Sequence, residues 1–307
     1  MTTLTQESAT PGQLKQITRV GSDAIEKVLE ELGLDKEGAQ RVHAHGDEFA
    51  AAIREAAMTS LKDLSVSDKF KNEETESSYG YLSGYKPKGL NEQCNQLRIL
   101  FSGIGFCNQD LLMQIEKGEA QLPKHAEGWF AIPNWMKNPK IFGGTYSEAL
   151  LKVLETIKTA RKGKFANYRD GQIDEKHLRQ SARTKKFFAD LATAQGDPDI
   201  LIVPAQFGIR HRGRSVRRAR EVFLTNEFGL GAFAVGIMIL THPERLMDYD
   251  DLWIDCSGDE FDDPDSVVRF GLALCFRFRD GEVGFGTRRV GSVGGDCGSA
   301  SGLVPQT

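Results

Sequence analysis

Apolar positions recur along this chain with two different periods, and the changes of period divide it. From Gly12 to about Leu64 the repeat is helical. Ala24, Ile25, Val28, Leu29 and Leu32 form one stripe; Val42, Phe49, Ala52, Ile53, Ala56 and Ala57 form another. Ser22 and Asp35 suit helix N-caps and Gly33 suits a C-terminal stop. The pattern predicts a small helical unit over 12–64. Periodicity is then lost in a charged stretch, KFKNEETESS, followed by YGYLSGYKPKG. Its polar residues, glycine and proline predict a linker over 65–78. Tyr79, Tyr81 and Tyr85 are expected to anchor the start of the next unit to its body, because aromatic rings contribute most by burying area.

From Tyr79 to Pro305 helical and strand-like segments alternate. Helices are expected at 92–101, at 109–117, from an N-cap at Ser147, over 175–194 behind Asp174, from Ser215, and over the apolar run 230–240. Short β-branched or aromatic runs at 129–132, 200–203 and 252–256 predict strands. Asp280-Gly281 between 271–279 and 282–288 is a strong two-residue hairpin signal. The Gly/Ser-rich tail is expected to be a loop. The fold class that follows is α+β: a mixed sheet flanked by helices with a C-terminal β-hairpin, preceded by the small helical unit.

Composition narrows the class without identifying an activity. With 307 residues, 40% hydrophobic and 27% charged, the chain can bury a substantial core and is not compositionally disordered. The longest apolar run, Leu230 to Leu240, is about half of what a membrane span needs. The first twenty residues lack the basic and apolar regions of a secretory signal. Five cysteines without a CxxC pair encode neither a disulfide framework nor a zinc ribbon. The expectation is a soluble protein of the cytoplasm.

The net charge of −4 conceals a partition. Residues 150–220 carry 17 Lys/Arg against 7 Asp/Glu, and residues 221–270 carry 2 against 12. The basic block peaks in IRHRGRSVRRAR. Arg210, Arg212, Arg214, Arg217 and Arg218 there would flank a predicted strand-to-helix junction. Guanidinium forks beside exposed helix amides favour a phosphate-bearing ligand, nucleic acid or nucleotide. The competing expectation is that the acidic block folds back and neutralises them. Asp255, Asp259 and Glu260, at the end of a predicted strand, could instead hold Mg²⁺ for phosphoester chemistry. A third expectation is a partner-binding protein, docking another chain or a second copy through its N-terminal helices. His43 and Asp47 share a helix face without the HExxH pattern, and Cys297 lies in a glycine-rich setting that could expose a nucleophile.

The strings LIVPAQFGIRHRGRSVRRAREVF, NEFGLGAFAVGIMILTHPERL, DLWIDCSGDEF and GSASGLVPQ resemble segments of a group of uncharacterised bacterial proteins. The resemblance covers most of the chain from Tyr79 onward. It implies a bacterial protein with 79–305 as one unit, and carries no residue role.

Overall fold

The structure, a computed structural model, describes residues 9–64, 68–264 and 266–305. The chain divides into two units, Met1–Ser65 and Val66–Thr307.

The first unit is helical, as its period predicts. Helix α1 spans Pro11–Leu32, α2 Lys36–Ala44 and α3 Gly46–Leu64. Thr10 opens α1 with a capping box: its hydroxyl accepts from the Gln13 amide while Gln13 accepts from the Thr10 amide. Pro11 at the first helical position reinforces that start. Ser22 is therefore an interior residue, and its hydroxyl donates to the Thr18 carbonyl instead of capping a helix. Gly33 ends α1 in the left-handed region at φ 56°, and Asp35 caps α2 by accepting from the Gly38 amide at 2.6 Å.

Of the expected linker over 65–78, residues 65–67 lie outside the described residues; from Asp68 the chain turns and then, from Glu74, runs as a strap tied to the body of the second unit. The Thr75 amide donates to the Gly213 carbonyl at 2.8 Å, and Ser77 to the Gly295 carbonyl. Two of the three tyrosines anchor as expected: the Tyr81 hydroxyl donates to Glu127 at 2.6 Å, and Tyr85 packs edge-on against Phe207 and His242. Then come α4 (Leu90–Leu100), α5 (Gln109–Glu116), β1 (Gly128–Pro133), α6 (Pro139–Phe142), α7 (Tyr146–Ala160), β2 (Phe165–Asn167), β3 (Leu178–Gln180), α8 (Ala182–Ala194) and β4 (Ile200–Gln206). The remainder is α9 (Val216–Glu221), β5 (Glu227–Gly229), α10 (Ala232–Thr241), β6 (Trp253–Phe261), β7 (Leu272–Arg279), β8 (Glu282–Arg289), β9 (Cys297–Ser299) and β10 (Ser301–Leu303).

These strands build two sheets, so the α+β class holds but the single expected sheet becomes a pair. One sheet is antiparallel in the order β1-β4-β10-β5. The other is mixed, in the order β2-β8-β7-β6-β3, with β9 parallel to β6. The glycine-rich tail supplies β9 and β10 because small residues let its backbone approach closely; a Cβ on Gly298 would lie 2.2 Å from the Gly208 carbonyl oxygen. Helix α10, buried throughout, packs against α7, β1 and β6. Gly236 permits that contact, since a Cβ there would sit 2.6 Å from a Val153 methyl. Asp280 and Gly281 both take positive φ, 55° and 81°, and form the expected hairpin turn between β7 and β8.

Two helix starts differ from expectation. Thr145, not Ser147, caps α7, with Glu148 completing the capping box. The 175–194 segment splits: Asp174 accepts from the amides of Lys176 and His177 in a turn, β3 follows, and Ser181 caps α8. No helix among the described residues is long and apolar enough to cross a membrane.

Candidate functional site

The arginine-rich segment leaves β4 at Gln206, turns, and enters α9 behind Ser215. Ser215 accepts from the Arg218 amide at 3.1 Å and donates to Glu73 at 2.6 Å. Its guanidinium groups are taken up one after another. Arg210 Nε lies 3.1 Å from the buried Glu227. Arg212 donates to the Tyr79 carbonyl at 2.9 Å. Arg214 pairs with Glu74 at 3.3 Å and donates to His211 Nδ1 at 3.2 Å. Arg217 reaches both oxygens of Glu73, and Arg218 meets Glu74, Asp68 and Glu221. Arg220 donates to the carbonyls of Ser257 and Asp259.

The five predicted ligand-binding arginines therefore do not converge on one open concavity. Internal pairing, the competing expectation, is what is seen, with a different main source of carboxylates. Glu221 and Glu227 come from the acidic block, but Asp68, Glu73 and Glu74 come from the segment that reads as a linker. Glu227 is the deepest member of this network. Burial would raise its carboxyl, yet the hydrogen bonds from His211 (2.8 Å) and Ser301 (2.6 Å) and the charge of Arg210 hold it down at about 2. Burial depresses His211. Arg214 can only donate to Nδ1, so Nε2 carries the proton directed at Glu227.

The predicted metal ligands are also dispersed. Asp255 is buried on β6, 3.3 Å from Arg288 Nη1, and burial pushes its carboxyl up to about 6. Asp259 is buried further along β6 and accepts from the Tyr146 hydroxyl (2.9 Å) and the Ala232 amide (2.7 Å); burial pushes it up to about 7. Glu260 points to the other face, as successive strand residues must, and pairs with Arg179 at 2.7 Å. Among the described residues, no group of three or more His, Cys, Asp or Glu is placed to hold a metal. The Mg²⁺ expectation is withdrawn on that geometry. His45, not His43, pairs with Glu48 at 3.4 Å, and Cys297 is buried with its thiol on Asp296. All five cysteines are free and buried; Cys94 and Cys107 bring their sulfurs to 3.8 Å.

A different set of arginines does share a concavity. A cleft of about 1140 Å³ opens beside the end of the β7–β8 hairpin and the loops that follow β6 and β8. Arg169, Arg217, Arg288 and Arg289 line it, with Thr287 and Ser292 supplying hydroxyls. Asp263, 2.9 Å from Arg169, is the one carboxylate among its described lining residues. Two of the guanidinium groups are fixed from behind, and a third, Arg288, next to Arg289 on β8, turns to the opposite face of the strand. Arg169 is held by Thr287 and Gln172, Arg217 by Glu73, and Arg288 by Asp255 and the Ser292 carbonyl. Gly291 lets Arg217 lie across the loop; a Cβ there would come within 2.8 Å of its Nη2. Arg289 is exposed, and its side chain makes no hydrogen bond or ion pair with any described residue.

Only Arg217 is common to this set and the predicted one. Arg288-Arg289, at the end of a hairpin strand and before a glycine-rich loop, was the available sequence signal. Arg169, remote in sequence, left none. A second concavity of about 460 Å³ is aromatic, walled by Trp135, Tyr146, Phe188 and Phe233. No family model, curated protein or solved structure matches the chain.

Proposed function

We propose that this protein binds a phosphate-bearing ligand in the cleft lined by Arg169, Arg217, Arg288 and Arg289. The observation that carries this reading is Arg289, a guanidinium left without a partner at a concavity where those of Arg169 and Arg217 are already held. Orientation matters because a pre-set fork loses little freedom when it grips two oxygens of a phosphate. Arg217 has Nε and Nη2 on Glu73, which leaves the N–H groups of Nη1 for a ligand. Arg289 adds the charge that the carboxylates behind the other three do not cancel.

Calorimetric titration at low salt with inorganic pyrophosphate, a phosphate monoester and a short single-stranded oligonucleotide tests the reading and separates its sources. Binding of pyrophosphate or the monoester that weakens with salt and falls at least about tenfold in Arg289→Ala supports it. Preference for the oligonucleotide, with the same dependence on Arg289, assigns the cleft to nucleic acid. Absence of binding to all three, or affinity indifferent to Arg289, overturns the proposal.

A further inference from the structure

Helix α1 is 22 residues long, and none of them is buried. Yet Leu14, Ile17, Ile25, Val28 and Leu32 recur at spacings that keep them on one side of a 3.6-residue helix. Leu14, Ile17, Val28 and Leu32 are 54%, 48%, 52% and 64% exposed. A helix with one apolar side ordinarily owes its stability to packing that side away. The structure thus shows a stripe of the kind that covers a partner, with four of its side chains about half exposed.

Charge indicates what the partner is. The first half of α1 carries only bases, Lys15 and Arg19; the second carries Asp23, Glu26, Glu30 and Glu31 against Lys27. A helix of opposite polarity laid along the stripe would match both halves, and α1 itself, run antiparallel, has that polarity. A two-fold axis near the helix midpoint would bring Lys15 of each copy alongside Glu26 of the other, on the same flank of the stripe. Gly21 lies at that midpoint within the stripe. Its position is otherwise costly in a helix interior, and a Cβ there would meet nothing within 4 Å. At the crossing, it lets two backbones approach closely. A parallel pair would instead set the two basic first halves side by side and the two acidic second halves side by side. A membrane surface fits poorly, because the helix carries four acids against three bases.

We infer that α1 is a self-complementary docking element that pairs antiparallel with α1 of a second copy of this chain. One stripe of this length is a small interface, so association is concentration-dependent rather than permanent.

Sedimentation velocity of the full chain over a concentration series tests this. The expected result is a reversible shift from the 34.0 kDa monomer to a dimer. Ile17→Asp with Val28→Asp removes the dimer. Since both side chains are exposed, the thermal unfolding of Val66–Thr307 stays unchanged, which separates lost association from lost fold. Lys15→Glu and Glu26→Lys each weaken association about fivefold by placing like charges together, and the two combined in one chain restore it. A monomer at every concentration overturns the inference. So does a dimer indifferent to Ile17→Asp/Val28→Asp, or a double charge swap no tighter than either single change.

Discussion

Two groups of arginines in this protein invite opposite conclusions. The 210–220 segment holds six within eleven residues, yet every one is engaged by a carboxylate, a carbonyl or both. The cleft draws Arg169, Arg217, Arg288 and Arg289 from three distant stretches, and it keeps Arg289 unpaired. Density along a chain measures how much positive charge the fold must accommodate. What remains for a ligand is decided by which carboxylates reach the charge first. The dense segment thus serves as architecture, tying the strap, α9 and β5 together. The dispersed set retains the means to bind.

The comparison can be broken most severely at Glu227. This buried carboxylate receives His211, Ser301 and Arg210, so Glu227→Ala leaves several buried polar groups without partners. The expected loss is about 3–5 kcal/mol of unfolding free energy, read from urea denaturation. A loss below about 1 kcal/mol would show that the dense segment is not structural.

Titration sharpens the same contrast. Glu227 is held at about 2, below its ordinary value of 4.5. Its contribution is fully present above pH 4.5 and is lost as pH falls through about 2. Asp255 and Asp259 act in reverse. Their folded values, about 6 and about 7, stand above the ordinary 3.8, so stabilisation exists below pH 3.8 and is lost as pH rises through 6 and 7. Stability from these groups should peak on the acid side of neutrality and decline toward pH 8. Asp259→Asn should flatten the decline, and an unchanged slope of urea midpoint against pH would contradict the assignment.

A smaller effect is expected at Glu73, where the two groups meet. Glu73→Ala releases Ser215 and Arg217 together, costing about 1–3 kcal/mol. The same change leaves Arg217, 43% exposed and at the cleft, with a cation unopposed. Pyrophosphate should bind at least as tightly as to the parent protein while stability falls. A parallel fall in affinity would mean that Glu73 is needed to aim Arg217 more than it neutralises it.

Sequence patterning made much of the scaffold legible. Asp35 and Gly33 bound their helices, α10 is buried, and the Asp280-Gly281 turn joins β7 to β8, because each depends on local chemistry. What escaped was non-local. Asp68, Glu73 and Glu74 sit in a polar stretch whose local signal is a linker, and only the fold brings Glu73 to Arg217, 144 residues away. Arg169 reached the cleft through β2 pairing parallel to β8, which no local pattern announces. Asp259 and Glu260 illustrate the converse: adjacent acids on a strand face opposite sides and cannot share a metal.

Arg289 offers the finest test, because its substitution should do almost nothing to the fold. An exposed side chain without partners contributes little to stability, so Arg289→Ala should change the unfolding free energy by less than about 0.5 kcal/mol. Affinity for pyrophosphate should nevertheless fall at least about tenfold, roughly 1.4 kcal/mol. Arg218→Ala should give the opposite pair of results, since its guanidinium is held by three carboxylates outside the cleft: lower stability, unchanged affinity. Crossing the two substitutions with the two measurements separates the roles cleanly. If Arg218→Ala weakened binding as much as Arg289→Ala, paired and unpaired arginines would differ only in degree, and the division between architecture and site would fail.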